Sequence, residues 1–192
     1  MGIGRLMRVM GKLMKRRPMR VLLACDHKWR DLQSLVVIKL YLHQLGHTVS
    51  IVSPKEMETL IAVLQPDLVL LNHFWDERYQ HLATKLRSFG IAVGVLPTEG
   101  AIPTSIWGPM VFGKFSDYSL LDLYLSWNEI TANGIAEAGK LSEEKIKVVG
   151  CPRFDFTVPP LLQSCMSRGE FCSRLGLDPK RPVVAWASRR VG

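Results

Sequence analysis

Residues 20–52 read RVLLACDHKWRDLQSLVVIKLYLHQLGHTVSIV, and this stretch decides the fold class. The continuous apolar run over 20–25 is typical of a strand that is buried on both faces. Asp31 is a suitable N-cap for the helix that follows, and Gly46 is a suitable left-handed C-cap for it. A second apolar run over 48–52 predicts the next strand. Together these features predict a β-α-β unit.

The same alternation of apolar strands and helical segments continues to residue 150. It predicts further strands at 67–72, 91–96, 120–127 and 145–150, with helices at 55–65, 76–90 and 128–140 between them. Strands and helices that alternate at this spacing favour a parallel sheet with right-handed crossovers. The sequence therefore predicts an α/β fold, with a Rossmann-like parallel sheet and helices on both faces.

Three parts are predicted along the chain. Residues 1–18 form a basic extension, either amphipathic or disordered, and residues 19–158 form the Rossmann-like domain. Residues 159–192 begin with a linker helix at 159–177 and end in a fresh apolar strand. That strand is interpreted as the first of a second, truncated domain.

The formal net charge of +8 is concentrated at the amino terminus. Six of the 25 lysines and arginines lie in residues 1–17, which contain no acidic residue, and this leaves 19 basic against 17 acidic residues elsewhere. A nearly neutral body without a basic stripe argues against a nucleic-acid-binding protein.

Residues 1–17 also show an amphipathic pattern. The apolar residues recur at helical spacing and the cations fall largely on the opposite face; they are Ile3, Leu6, Met7, Met10, Leu13 and Met14 against Arg5, Arg8, Lys12, Lys15 and Arg16. Such a pattern predicts a helix that lies on an anionic membrane, apolar side down. The alternative is a disordered extension. The expected location is the cytoplasm, with the membrane helix adding a peripheral contact on the inner face of the cell membrane.

The four cysteines form no C-x-x-C pair and have no histidine at metal-ligand spacing. Reduced thiols and no bound metal are therefore expected, as in a cytoplasmic protein. No apolar run approaches the roughly 18 residues of a membrane-spanning helix, and no secretory signal is recognisable.

The most particular motif is VVGCPRFD at residues 148–155. Gly150 allows a sharp turn at the end of the last predicted strand, and Pro152 prevents the strand from continuing. Phe154 is expected to anchor the exit against the core, and Asp155 to hold the following turn.

This motif, followed by a helix and by LGLDPKRPVVAWAS, resembles the domain crossover of two-domain GT-B glycosyltransferases. It is most similar to bacterial surface-carbohydrate and capsule biosynthesis proteins, relatives of the Kdo-type transferases. The related UDP-N-acetylglucosamine 2-epimerases carry a similar Gly-Asn-Pro, where Cys151 stands here for the asparagine. The segments DLVLLNHFW and LPTEG, and the opening β-α-β unit, extend the resemblance over residues 19–190.

The resemblance implies transfer of a sugar from a nucleotide-activated donor to a glycan or glycolipid acceptor of a surface polysaccharide. This half would receive the acceptor, and the missing carboxyl-terminal half would hold the nucleotide sugar, so the chain alone is expected to be almost inactive. The donor is a substrate, and no cofactor is implied. Two alternatives remain open: an epimerase-like enzyme that acts on a nucleotide sugar, and a non-catalytic binding module of a split transferase.

Open parallel sheets bind ligands beyond the carboxyl ends of their strands. Glu99, which follows the fourth strand, is the predicted catalytic residue, since transfer requires a base to deprotonate the acceptor hydroxyl. In a retaining enzyme the same carboxylate would be the nucleophile. The alternative is that Glu99 caps a helix or pairs with a loop cation.

The predicted substrate-binding residues also follow strand ends. They are Asp26, His27, Arg30, His73, Trp75, Thr98, Gly100, Ser105 and Arg153. His27 suits a sugar hydroxyl, Arg30 an acidic sugar or phosphate, and Trp75 a stacked sugar ring. Each has a structural alternative as a loop or capping residue or, for Arg153, as a partner in a salt bridge.

Overall fold

The structure, a computed structural model, describes residues 2–13, 17–98, 117–138 and 140–186. Its contacts divide the chain into two compact units, Met1–Asp155 and Phe156–Gly192. The first unit ends with the last residue of the VVGCPRFD motif.

The first unit is built on a parallel sheet of six strands in the order β2-β1-β3-β4-β5-β6. The strands are β1 (Arg20–Ala24), β2 (Thr48–Val52), β3 (Leu68–Leu71), β4 (Ala92–Val95), β5 (Leu123–Ser126) and β6 (Ile146–Val148). The helices of this unit are α1 (Gly2–Leu13), α2 (Lys28–Gln44), α3 (Met57–Leu64), α4 (Glu77–Ser88) and α5 (Glu129–Glu137). This confirms the predicted Rossmann-like sheet, with element ends that differ by a few residues.

Two apolar clusters cover the two faces of the sheet. Alternate residues of β1 show the division, since Leu22 and Ala24 belong to one cluster and Val21 and Leu23 to the other. Helices α3, α4 and α5 pack on the first side, called here the α4 face. Helices α1 and α2 pack on the second side, called here the α2 face.

Helix α1 differs from the expected separate extension. Its apolar side chains Ile3, Leu6 and Met10 are buried, and Leu6 and Met10 lie in the same cluster as Leu35 of α2 and Leu123 of β5. Burial of such side chains contributes roughly 1.5–3 kcal/mol each. The sequence pattern predicted the helix and its apolar face, but that face covers the protein's own sheet.

The amino-terminal turn of α1 is tied to the VVGCPRFD motif. The backbone N–H groups of Gly2 and Ile3 donate hydrogen bonds to the buried carboxylate of Asp155, the first at 2.6 Å. A Cβ added at Gly2 would lie 2.5 Å from the carbonyl carbon of Cys151, so the first residue of α1 packs directly against the backbone of the motif. Asp155 therefore caps a distant helix, although it was expected to hold only its own turn.

Helix α2 begins before the predicted N-cap. His27 takes the N-cap position, and Asp31 lies inside the first turn, where its buried carboxylate accepts the His27 backbone N–H at 3.1 Å. The predicted left-handed glycine is present after α2, with φ of 86° at Gly46, and Gly150, where a sharp turn was predicted, also has a positive φ of 83°.

The second unit has little regular structure. The predicted linker helix at 159–177 is replaced by a short 3-10 turn at Leu161–Ser164 and one helix, α6 (Arg168–Arg174), which begins with a capping box of Ser167 and Glu170. Within the described part of the predicted last strand, residues 182–186 form no ladder. A strand needs a neighbour for its backbone hydrogen bonds, and none pairs with it in the described residues.

Among the described helices, none is both long enough and apolar enough to cross a bilayer.

Candidate functional site

Thr98 joins the segments that follow three strands at the carboxyl edge of the sheet. Its backbone N–H donates to the carbonyl of Asn72, after β3, at 3.1 Å. Its hydroxyl accepts from Arg30 Nη2, after β1, at 3.1 Å, and its carbonyl accepts from Arg153 Nη2, after β6, at 3.3 Å. Thr98 follows β4. The predicted catalytic residue, Glu99, is the next residue in the sequence.

Arg30 is bound mainly by the protein's own carboxylates. Its guanidinium donates to both oxygens of Asp31, at 2.7 and 3.1 Å, and to Asp26 at 3.3 Å. From the sequence, Arg30 was predicted to donate such a pair of hydrogen bonds to an acidic sugar or phosphate. In the structure Arg30 therefore orients the loop after β1, and Asp26 contributes its half-exposed carboxylate to the same group.

Arg153 lies beside aromatic rings on the other side of Thr98. Its guanidinium carbon is 5.8 Å from the ring centroids of Trp127 and of Phe154, and the Trp127 indole N–H donates to the Pro97 carbonyl at 2.7 Å. Phe154 is half-exposed and does not anchor the exit in the core, contrary to expectation. The exposed ring instead extends an aromatic surface next to a cation.

A cavity of about 20 Å³ lies between these groups, lined among others by Arg30, Thr98, Trp127, Cys151 and Arg153. This is the space of about one water molecule. A sugar would therefore contact the rim of the described site, not its interior.

The loop after β3 forms a second polar group. The Tyr79 hydroxyl donates to Asn72 Oδ1 at 2.8 Å, and the His73 ring stacks on Trp75 with centroids 4.3 Å apart. His73 Nε2 lies 3.7 Å from the Asp76 carboxylate. His73 and Trp75, both predicted site residues, thus contact each other at this edge.

Asn72 is a candidate that the sequence analysis did not select. It is buried, and within the described residues its side-chain nitrogen Nδ2 has no hydrogen-bond partner. A buried donor without an acceptor is unfavourable by about 1–3 kcal/mol, which marks Asn72 as a candidate contact residue. The available signal was an asparagine at the end of the apolar run over 67–72.

Burial also fixes the protonation of neighbouring groups. Desolvation raises the pKa of Tyr79, which keeps its hydroxyl protonated as a donor to Asn72. Desolvation raises the pKa of the Cys25 and Cys151 thiols as well, with the nearby Asp31 adding to the effect at Cys25. Both thiols are therefore poor nucleophiles at neutral pH.

The predicted site residues are brought together in part. Asp26, Arg30, Thr98 and Arg153 form one connected group, whereas the His27 side chain is exposed at the start of α2. The predicted residues Glu99, Gly100 and Ser105 lie outside the described residues. Among the residues that are described, no three His, Cys, Asp or Glu side chains are arranged to hold a metal ion.

Comparison with known proteins gives one line of support, at the level of the fold. No family model matches the chain, and no curated protein matches it. Among solved structures, it is similar to Staphylococcus aureus MnaA in complex with UDP, with a TM-score of 0.54 and 14% sequence identity. The match covers 77% of this chain and 48% of that protein, so the chain spans about half the length of this neighbour. At this identity the likeness shows a Rossmann-like fold of the GT-B kind.

Proposed function

We propose that this chain is the acceptor-side half of a two-domain enzyme that acts on nucleotide sugars, and that the enzyme is a glycosyltransferase for a bacterial surface polysaccharide. The acceptor is a glycan or glycolipid, and the nucleotide sugar is held by a second half. Glu99 deprotonates the acceptor hydroxyl in this proposal. Thr98, the residue before it, carries the argument because it ties the loops after β1, β3 and β6 to one point.

The chemistry of the described edge suits a sugar. Trp75, Trp127 and Phe154 offer partly exposed or exposed rings for the apolar face of a pyranose, and Arg153 offers hydrogen-bond donors for its oxygens. The likeness to a UDP-bound protein supports the nucleotide-sugar class. The VVGCPRFD motif supports a crossover to a second half, which would bind the donor.

Asn72 has a defined role in this proposal. Its Oδ1 accepts from the Tyr79 hydroxyl, and its Nδ2, which is buried in the structure, donates to an acceptor oxygen once the ligand displaces the groups that cover it. The double variant Asn72→Leu/Tyr79→Phe removes both partners of this bond, which is close to neutral for folding, while it removes the donor to the ligand. Tyr79→Phe alone is the matched control, since it keeps the Asn72 amide.

The test is calorimetric titration of the chain with short oligosaccharides released from bacterial surface polysaccharides, and separately with UDP. We expect oligosaccharide binding that the double variant weakens by about 0.5–1.5 kcal/mol more than Tyr79→Phe does. UDP is expected to bind weakly or not at all. Tight binding of UDP without any oligosaccharide binding would contradict the acceptor-side assignment.

An epimerase-like enzyme is at least as consistent with the neighbour, because that protein binds UDP. Incubation of the chain with UDP-sugars, with and without oligosaccharide, separates the possibilities by mass spectrometry and NMR of the products. An epimerised sugar without acceptor would favour the epimerase. Binding without turnover under any condition, including addition of a donor half, would favour a non-catalytic module of a split transferase.

A further inference from the structure

The outer side of the α2 face has an unusual composition. Helices α1 and α2 contact each other there, since a Cβ added at Gly11 would be 3.6 Å from Leu45 Cδ1 and 3.7 Å from the Tyr41 hydroxyl. Both helices bury one side against the same cluster, so their opposite sides face outward together.

All the exposed charges of these two helices are positive. Helix α1 presents Arg5, Arg8 and Lys12 and contains no acidic residue. The single acidic residue of α2 is Asp31, whose carboxylate is buried and paired with Arg30. By contrast, the helices of the α4 face carry exposed acids and bases together: Glu58, Glu77, Glu129 and Glu137 with Arg78, Lys85 and Arg87.

Helix α2 also presents an exposed apolar stripe. Trp29, Leu32, Val36 and Leu40 recur at helical spacing on α2 and leave 81%, 39%, 38% and 58% of their surface exposed. The stripe is about 16 Å long, from the helical rise of 1.5 Å per residue. The Lys28 ammonium lies 4.8 Å from the Trp29 ring centre, an aromatic and cationic pair at one end of it.

We propose that this surface, the cations of α1 with the apolar stripe of α2, binds an anionic phospholipid membrane. The stripe enters the interface between head groups and acyl chains, and the cations contact the phosphate groups. The membrane contact thus uses the outward side of α1, while the apolar side of α1 stays buried in the protein.

Charge complementarity favours a membrane over another protein copy. A two-fold contact through this surface would bring the cations of two copies together, with no exposed carboxylate on α1 or α2 to compensate them. A nucleic acid would use the cations but would leave a tryptophan and three aliphatic side chains against a polar backbone. A bilayer with anionic head groups satisfies both components.

The surface borders the candidate site. Trp29 directly precedes Arg30, which contacts Thr98 at the carboxyl edge. If the proposed function holds, a glycolipid anchored in this membrane would present its sugar close to that edge. The membrane proposal itself does not depend on that function, since lipid binding is measured without any sugar.

The test is co-sedimentation of the whole chain with vesicles of phosphatidylglycerol and phosphatidylcholine in equal parts, and with phosphatidylcholine vesicles. We expect binding to the anionic vesicles that falls as salt is added. Each cation near an anionic surface contributes roughly a fivefold factor. Arg5→Glu/Arg8→Glu should therefore reduce the partition coefficient by at least about tenfold, and Trp29→Ser/Leu40→Ser by a similar factor.

Matched variants on the other side of the sheet provide the control. Val63 and Phe89 are 76% and 74% exposed there, and Lys55 and Lys85 are exposed as well, so Val63→Ser/Phe89→Ser and Lys55→Glu/Lys85→Glu each change the same number of groups. These two variants should bind vesicles like the original chain. All the changed side chains are exposed, and circular dichroism verifies that each variant is folded.

Three outcomes would overturn the proposal. The first is no binding to anionic vesicles, and the second is equal weakening by the control variants. The third is a dimer, seen by analytical ultracentrifugation, that Trp29→Ser/Leu40→Ser dissociates, in a protein that does not bind the vesicles. Loss of sugar binding or turnover would leave the membrane result unchanged, so the two proposals fail separately.

Discussion

The two faces of the sheet are closed in different ways. On the α4 face the described helices α3, α4 and α5 all come from connections between strands. On the α2 face the only described connecting helix is α2, and α1 comes from outside the β-α alternation. Right-handed crossovers explain the difference, because the chain moves from β1 toward β2 once and then in the other direction as far as β6. Helix α1, which precedes β1 in the chain, is the second described helix on the α2 face.

The largest effect is expected from core truncation on either face. Leu6→Ala on α1 and Leu82→Ala on α4 remove equally buried side chains, so each should destabilise the fold by about 2–5 kcal/mol. Urea unfolding followed by circular dichroism gives both values. If Leu82→Ala destabilises the protein but Leu6→Ala lowers the free energy of unfolding by less than about 0.5 kcal/mol, α1 is not part of the folded domain.

A smaller effect is expected from the helix caps of the two faces. Asp76 caps α4 locally through the Tyr79 N–H, whereas Asp155 caps α1 from a distant part of the chain through two N–H groups. Asp76→Ala should cost about 1 kcal/mol, and Asp155→Ala about 1–3 kcal/mol because it leaves buried donors unpaired.

A double-mutant cycle sharpens this comparison. If α1 docks as one unit, Leu6→Ala and Asp155→Ala weaken the same contact and their costs should sum to more than that of the double variant. Leu6→Ala with Asp76→Ala should be additive, since these residues serve opposite faces. Additivity in both pairs would argue against cooperative docking of α1.

The smallest effect concerns alkaline pH. Burial raises the pKa of three tyrosines in the cluster of the α4 face, Tyr79, Tyr118 and Tyr124, above the ordinary value of 10.0. The unfolded chain releases these protons near pH 10 while the folded chain retains them. Their contribution to stability is therefore intact below about pH 10 and is lost as the pH rises further.

Urea midpoints measured between neutral and alkaline pH test this dependence. Tyr124→Phe removes one buried titrating group, so it should make the alkaline decline shallower without a large change at neutral pH. Equal slopes for Tyr124→Phe and the original chain would show that Tyr124 does not contribute to the decline.

Much of the candidate site followed from the sequence by one rule. Polar residues directly after apolar strands meet at the carboxyl edge of a parallel sheet, and Asp26, Arg30, Thr98 and Arg153 do so. Their partners did not follow, because a strand pattern gives no distance between side chains. Arg30 was assigned to an acidic ligand, yet the adjacent Asp31 holds it.

The same rule places Asn72 at this edge, because it directly follows β3, but it does not reveal the unpaired amide nitrogen. The Tyr79 hydroxyl pairs with Asn72 Oδ1, but no acceptor pairs with Asn72 Nδ2 in the described residues. Such an imbalance depends on which groups pack together, and it becomes visible only once burial is known.

The sequence by itself determined the α/β class, the succession of strands and helices, and the amphipathic character of residues 2–13. These features are local, because period, turn residues and apolar runs act within a few positions. Only the tertiary structure decided what the apolar side of α1 covers. A hydrophobic face specifies that it will be buried but not against what, and here the exposed sheet face and the Asp155 carboxylate were available within the same chain.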